Sequence, residues 1–561
     1  MTIKDISTVD PDFKLPEKDD SPYDFRLIFS YFANYADPLG DPEIGSFPEG
    51  LLQKLALQGV NAVWLHTVLR TLVKDPKYPE FGEGSEARLA NLRKLVARCA
   101  KYGIKVWLFA IEPHRLILPD ELYAEHRDEF CAWEYPKNIG SHGKGALMCP
   151  SLPGTRAYLE DSTRDIFTQV PGLGGLINIS HGERKTTCLS FVDPVDPKPL
   201  GCPACAALRP WEIHARTAGA MSRGIRAANP SARLVSWLYH PEGAETRADW
   251  VAELARHVPE GVTLQYNFES GVAEDFGGRR LVAGDYWHSR VGPAAPFAAV
   301  ARAAKSSGAR LSAKIQTSNG HETADIPTVP APGLLYRKFK AMREASVRDA
   351  MLSWYPGSYP GVMLTAAGML AREDFADGED AFLVRLARRT WGAADAEAAV
   401  GLWKRMERAY GKYPLSLLMQ YYGPFGSGTS WPLHAYVDLT PQPRTWRADD
   451  GTVTTGPCET TVSTPLDRLP HYERAPKRPE GYYDDGILLF KGEPLSANHR
   501  HHSHMAGLYP FDTIDLSDAD VRRTVEATYR TWTGKGTGYW TGWCVPGASV
   551  LHTHAAHPGA A

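Results

Sequence analysis

Eight short apolar runs, spaced along residues 26 to about 356 and separated by segments of helical periodicity, constrain this chain more than any other feature. They are FRLIFSY (26–32), NAVWLH (61–66), KVWLFA (105–110), GLINIS (175–180), RLVSWL (233–238), VTLQYNF (262–268), RLSAKIQ (310–316) and AMLSWY (350–355). Between them lie amphipathic stretches such as EARLANLRKLVARCAKYG, closed by a glycine, and RPWEIHARTAGAMSRGIRAANP, closed by Asn-Pro. Strands that are apolar almost throughout, alternating with helices, predict parallel strands buried on both faces. Eight of them predict an α/β fold, a (β/α)8 TIM barrel of roughly 330 residues, above the typical ~250 because the loops after strands three and four are long. An open doubly wound sheet is the alternative, disfavoured by the strand count and by the lack of a glycine-rich phosphate loop after the first strand.

The barrel is expected over residues 1–365 and a helical extension over 366–425, where DAFLVRLARRTWGAADAEAAVGLWKRMERAYGKYP reads as two helices. Residues 426–485 are rich in Pro, Gly, Thr and Asp and read as linker or irregular covering, and 486–561 form a last segment with one clear helix. With 23% charged residues and a formal net charge of -3, the chain has no field to attract nucleic acid or an anionic membrane. Nor does any run approach the ~18 apolar residues of a span, and MTIKDISTVDPDFKLPEKDD has no leader-like apolar region. The expectation is a cytoplasmic chain acting on a neutral substrate.

In a barrel of this kind chemistry gathers at the carboxyl ends of the strands. Those ends carry Glu112, Glu183, Glu269 and Glu322, together with His66, Arg115, His181, Trp237, Tyr239, Asp285, Tyr286, His321, Trp354 and Tyr359. Carboxylates among flat rings suit cleavage of a glycosidic bond, in which one carboxylic acid protonates the leaving oxygen, a second carboxylate supports the oxocarbenium-like transition state and the rings hold the sugar. A single glutamate at a loop start is more often a solvated side chain, and Trp237 and Trp354 fit upper barrel core as well as a sugar platform. The 15 tryptophans, 25 tyrosines and 19 phenylalanines add a weak bias toward sugar stacking.

Cys202 and Cys205 form a C-x-x-C in GCPACAAL; Cys188 precedes them in the same loop and Cys149 lies in the loop before. Four thiolates from neighbouring loops are a ligand set for structural zinc, against the alternative of free buried cysteines filling gaps. No cofactor is expected for catalysis. The run NHRHHSH, with His499, His501, His502 and His504, lacks the spacing of a two-histidine helical metal face and is read as packed or hydrogen-bonded.

Through FSYFANYADPL, GVNAVWLHTVLRTL, FAIEPHRL, CPSLPGTRAYL, INISHGERKTTC, CPACAALRPWE, KIQTSNGHETADIPTVP and MLSWYPGSYP, in this order over most of residues 25 to 360, the chain resembles the bacterial exo-acting β-hexosaminidase-like proteins related to glycoside hydrolase family 20. The resemblance implies a (β/α)8 fold and removal of a terminal N-acetylated hexose from a glycan. It would make Glu183 the general acid/base, with Glu112, Arg115, Glu269, Tyr286 and Glu322 contacting substrate. The family places an Asp immediately before the acid to orient the substrate's acetamido group as nucleophile, whereas this chain has Gly182. Either another rim residue such as His181 or Glu322 takes that role, or Glu322 is itself the nucleophile of a retaining pair about 5 to 5.5 Å apart. A barrel that binds carbohydrate without cleaving it is the reading from another class. The tail, through LSANHRHHSHMAGLYPF and GTGYWTGWCVPGAS, resembles a late segment of the family 95 α-L-fucosidase-like toroid enzymes, but about 75 residues without that family's catalytic carboxylate do not assign its activity.

Overall fold

A computed structural model describes residues 8–16, 20–29, 39–40, 46–75, 78, 81–117, 121–135, 145–182, 185–192, 201–239, 249–276, 278–283, 287–320, 328–353, 360–412, 482–483, 486–487 and 516–534. All eight expected strands form: β1 (Arg26–Phe29), β2 (Ala62–His66), β3 (Lys105–Ala110), β4 (Gly175–His181), β5 (Arg233–Leu238), β6 (Val262–Asn267), β7 (Arg310–Lys314) and β8 (Asp349–Met351). Each pairs in parallel with its neighbours, and β8 returns to β1 through Arg26↔Ala350 and Leu27↔Met351 to close the ring. A helix follows every strand: α1 (Glu49–Leu57), α2 (Ser85–Ala100), α3 (Pro153–Gln169), α4 (Pro210–Ala228), α5 (Asp249–Ala255), α6 (Ala295–Ser307), α7 (Pro332–Glu344) and α8 (Val362–Leu370). This is the (β/α)8 barrel that the alternation predicts.

The strands read as apolar throughout because both of their faces are covered. On β1 to β5, Leu27, Phe29, Trp64, Trp107, Phe109, Ile177, Ile179, Val235 and Trp237 fill the interior, while Ile28, Val63, Leu65, Val106, Leu108, Leu176 and Leu234 pack outward under the helices. On β6 and β7 the outward residues Leu264, Tyr266, Leu311 and Ala313 keep this pattern, but polar side chains enter the interior. There Ser312 donates to Gln265 at 2.9 Å, and Gln265 donates to the Met351 sulfur at 3.3 Å.

The floor of the ring is closed by charge. Asp349 on β8 has a fully buried side chain, faced by Arg233 of β5 at 3.1 Å and by Arg310 of β7 at 2.5 Å. Its Oδ1 also accepts the Phe25 amide at 3.3 Å. At the seam between the last helix and the first, Gly368 of α8 lies so near the chain after α1 that an added Cβ would sit 2.0 Å from the Gln58 carbonyl oxygen.

The long loop after β3 folds into a helix (Glu121–Phe130) and a three-stranded antiparallel sheet of Leu116–Ile117, Gly145–Met148 and Cys131–Tyr135. The two helices expected after the barrel are α9 (Glu379–Trp391) and α10 (Ala396–Tyr410). Arg337 of α7 joins them, pairing with Glu379 at 3.0 Å and with Glu407. The boundary expected at 365/366 falls inside α8. One further helix, α11 (Ala519–Gly534), is described, while the 426–485 segment apart from Tyr482–Tyr483 and the histidine-rich run lie outside the described residues. No described helix is long and apolar enough to cross a membrane.

Two outcomes follow from this packing. Asp349→Ala removes the buried partner of two guanidinium groups and is expected to destabilise the chain by about 3 kcal/mol, read as a lower denaturant midpoint at unchanged slope. Gly368→Ala gains about 1 kcal/mol of helix propensity but drives a Cβ into a backbone carbonyl at a cost of up to about 3 kcal/mol. The net expectation is a lower melting temperature, and a higher one would refute the close approach.

Candidate active site

The carboxyl ends of the strands open on one rim. Among the residues expected there, Glu183, Asp285, Tyr286, His321, Glu322, Trp354 and Tyr359 lie outside the described residues. His66, Glu112, Arg115, His181, Trp237, Tyr239 and Glu269 are described, and their surroundings differ sharply.

Glu112, two residues beyond β3, is 1% exposed and has protein donors on both oxygens. The Leu69 amide donates to Oε1 at 2.8 Å, while the His114 amide and the Tyr158 hydroxyl donate to Oε2 at 2.8 and 3.3 Å. Burial pushes its pKa up against these donors and the charge of Arg70. The carboxyl thus ties the loop after β2, the loop after β3 and helix α3 together. Asn178 of β4 holds the backbone of the same residue from below, accepting the Glu112 amide at 2.7 Å and donating to its carbonyl at 2.8 Å. Beside it, Arg115 is 3% exposed.

β4 ends irregularly. Ile179 pairs with Trp237 but His181 pairs with Leu238, so an extra residue enters the strand at Ser180. The Ser180 hydroxyl meets Ser236 at 2.7 Å, and Ser236 meets His214 Nε2 of α4 at 2.7 Å. His181 packs edge-on to Trp250 of α5 at 5.3 Å. A bulge of this kind re-aims the residues that follow. At Gly182 an added Cβ would come within 2.9 Å of Ile179 Cγ2 and 3.1 Å of Tyr239 Cδ1. Both neighbours belong to the barrel interior, and the branched Ile179 side chain has little freedom to withdraw. A side chain at position 182 therefore has no room without repacking.

On the neighbouring strand β5, Trp237 is wholly buried and donates its indole N–H to Asn267 at 3.0 Å; Asn267 in turn donates to the Tyr239 carbonyl at 2.6 Å. Trp237 therefore supports the floor of the mouth and has no face open for a sugar to stack on. Tyr239 is 5% exposed and packs edge-on to Trp237 at 5.0 Å. Glu269 is 2% exposed; its Oε1 takes the ammonium of Lys338 at 2.7 Å and the Gln316 amide at 3.1 Å. Lys338, on α7 and wholly buried, also donates to the Gln316 carbonyl at 3.0 Å. His288 lies nearby, and burial together with the positive charge of Lys338 holds its pKa well below the usual value.

His66 closes β2 and keeps a partly exposed edge, with Phe109, Trp64 and Phe29 around it at 4.8, 5.1 and 5.9 Å. Packed rings outweigh the open edge, and burial pushes its pKa down to about 4. At neutral pH its ring is a neutral imidazole, with one donor and one acceptor nitrogen.

The mouth thus combines an aromatic floor, amide side chains and two buried carboxylates already engaged by protein groups. Asn178, Asn267, Tyr158 and Lys338 were not singled out in the sequence. The two asparagines left a trace, as amides inside otherwise β-forming runs, Asn178 at the middle of β4 and Asn267 at the end of β6. Behind the rim, Cys149, Cys188, Cys202 and Cys205 are buried with their sulfurs all within 4.8 Å of one another, the arrangement a metal ion would need.

No family model matches the sequence, and no curated protein matches it. Among solved structures, the chain is similar to a GH138 enzyme targeting pectin rhamnogalacturonan II, at 14% identity over 73% of this chain and 45% of that one, with a TM-score of 0.44. The chain thus spans under half the length of that enzyme. It is also similar to an inactive mutant of the GH20 exo-β-N-acetylglucosaminidase from Vibrio harveyi, at 11% identity over 71% of this chain and 60% of that one, with a TM-score of 0.37. An exo-β-1,4-mannosidase from Opitutaceae bacterium strain TAV5 is similar at 14% identity over 71% and 63%, with a TM-score of 0.33. At TM-scores no higher than 0.44 these likenesses decide neither fold nor activity, and the barrel rests on the strand pairing described above.

Proposed function

We propose that this chain is a glycoside hydrolase that removes a terminal β-hexose from a glycan, most simply an N-acetylated one, with Glu183 as general acid/base and Glu322 as the second carboxylate. The observation that carries the reading is the end of β4. The strand bulges at Ser180, its last side chain packs on α5, and the next residues in the chain are Gly182 and Glu183. A general acid must be held at a fixed distance from the leaving oxygen, and a bulged strand end is a rigid way of aiming a side chain. Glu322 follows the buried Gln316–Asn319 stretch beyond β7, and β4 and β7 are separated around the ring only by β5 and β6.

Gly182 bears on the mechanism. With Ile179 and Tyr239 where a side chain would go, an acetamide-orienting Asp has no place there, which favours double displacement by a carboxylate pair over substrate assistance from that position. Glu112 and Glu269, each engaged by protein donors, suit the role of framework better than that of nucleophile. A second reading, carbohydrate binding without turnover, draws on the same glycine.

Hydrolysis of chromogenic β-N-acetylglucosaminide and galactosaminide tests the proposal. Glu183→Gln is expected to lower kcat by about 10³-fold at unchanged melting temperature, and Glu322→Gln to do the same while azide rescues turnover by replacing the nucleophile. Wild type and Glu183→Gln equally inert over a broad glycoside panel, with saturable sugar binding intact, would establish the binding reading instead. Gly182→Asp is expected to lower stability by about 1 to 3 kcal/mol through overpacking and to give no gain in turnover. A faster Gly182→Asp enzyme would return the substrate-assisted mechanism.

A further inference from the structure

Four of the six described cysteines converge on one point behind the β4 loop. Cys149 follows the strand Gly145–Met148 in the loop before α3; Cys188 opens a 3-10 turn (Cys188–Phe191) after β4; Cys202 and Cys205 bracket a turn before α4, in which the Cys205 amide donates to the Cys202 carbonyl at 3.1 Å. Each is fully buried, and Cys149 Sγ lies 3.7 Å from Cys202 Sγ and 3.4 Å from Cys205 Sγ.

Buried thiols alone need no ion, since a free cysteine packs as a small apolar side chain. Apolar packing, however, gives no reason for sulfurs from three separate turns to meet one another. A tetrahedral zinc with sulfur ligands at about 2.3 Å sets those sulfurs about 3.8 Å apart, while a disulfide needs about 2.05 Å. The observed separations fall close to the first value and far from the second. A polynuclear iron–sulfur cluster requires room for bridging sulfides between its cysteines, which sulfurs all within 4.8 Å of one another do not leave.

The surroundings supply what a set of thiolates needs. The Ser151 hydroxyl sits 3.2 Å from Cys205 Sγ, and Arg216 of α4 donates to that hydroxyl oxygen at 2.8 Å. With a guanidinium on the oxygen, the hydroxyl proton is left to point at the sulfur, and positive charge is relayed to the cluster. This is the outer-shell support typical of metal-bound ligands.

We propose that Cys149, Cys188, Cys202 and Cys205 bind one zinc ion as a closed structural site that clasps the β3–α3 loop to the β4–α4 loop. Four protein ligands leave no open position, so the ion takes no part in chemistry. Instead it fixes the chain on the far side of Glu183, so that the loop is held both by the bulged strand and by the metal. The inference stands apart from the glycosidase reading, because its readout is metal content.

The full chain, purified without chelator, is expected to contain one zinc per chain by elemental analysis. Grown with cobalt in place of zinc, it should show thiolate-to-cobalt charge transfer and the intense visible bands of a tetrahedral sulfur site. Cys202→Ser and Cys205→Ser are each expected to lose the metal, Cys99→Ser to keep it, and stripping by chelator to lower the melting temperature by several degrees. Should the cysteine variants fail to fold, the cobalt spectrum of the unaltered chain still decides. Substoichiometric zinc after growth in zinc-supplemented medium, a mass four hydrogens lower that marks two disulfides, or one iron per chain with ferric thiolate absorption would each overturn the proposal.

Discussion

The ring of eight strands, on which the whole rim depends, is closed around one buried carboxylate. β8 is only three residues long and meets β1 at two register positions, so backbone pairing alone is thinnest at the seam. Asp349 makes up the difference by reaching the residue just before β1 through the Phe25 amide, β5 through Arg233 and β7 through Arg310. A carboxylate removed from water without partners would cost several kcal/mol; one met by two guanidinium groups and an amide becomes a cross-brace under the barrel. Arg233 also lies over the Phe25 ring at 5.6 Å, so the brace is seated on the lowest layer of the core.

The same device recurs at the opposite end. Glu112 and Glu269 are the two rim carboxylates that the structure describes, and each ties a helix to the strand ends: the loops after β2 and β3 to α3 in one case, the ends of the paired strands β6 and β7 to α7 in the other. Buried charge here is spent on geometry, and it is affordable because every oxygen named has a donor. The described part of the rim is thus held in place by the protein's own groups.

The fold was legible because a parallel strand covered on both faces has to be apolar nearly throughout, and KVWLFA and GLINIS could hardly be anything else. Even β6 and β7, whose interior faces carry Thr263, Gln265, Asn267, Ser312 and Lys314, were recognisable from their outward Leu264, Tyr266 and Leu311. Strand ends were less legible: β7 stops at Lys314, where the expected run continued to Gln316, because Gln316 turns to bind Glu269 and Lys338. The 365/366 boundary fell inside α8 because that helix is apolar on nearly every side and shows no period to mark its ends. Rim positions were legible as strand ends, but their roles were not. Glu112 is held by the amides of Leu69 and His114, and a backbone donor leaves no mark in a sequence; Lys338 looks like any surface lysine on a helix until α7 is docked.

The resemblance to family 20 made Gly182 a missing aspartate. In the folded chain it is a position whose side-chain space is already taken by Ile179 and Tyr239, one residue beyond a bulge that resets which residues of β4 face inward. The glycine is therefore a consequence of how the strand ends, and cannot be treated as an isolated loss. On the facing side of the ring the interior of β6 and β7 is polar, carrying Thr263, Gln265, Asn267, Ser312 and Lys314, where β1 to β5 are lined by aromatic and aliphatic side chains.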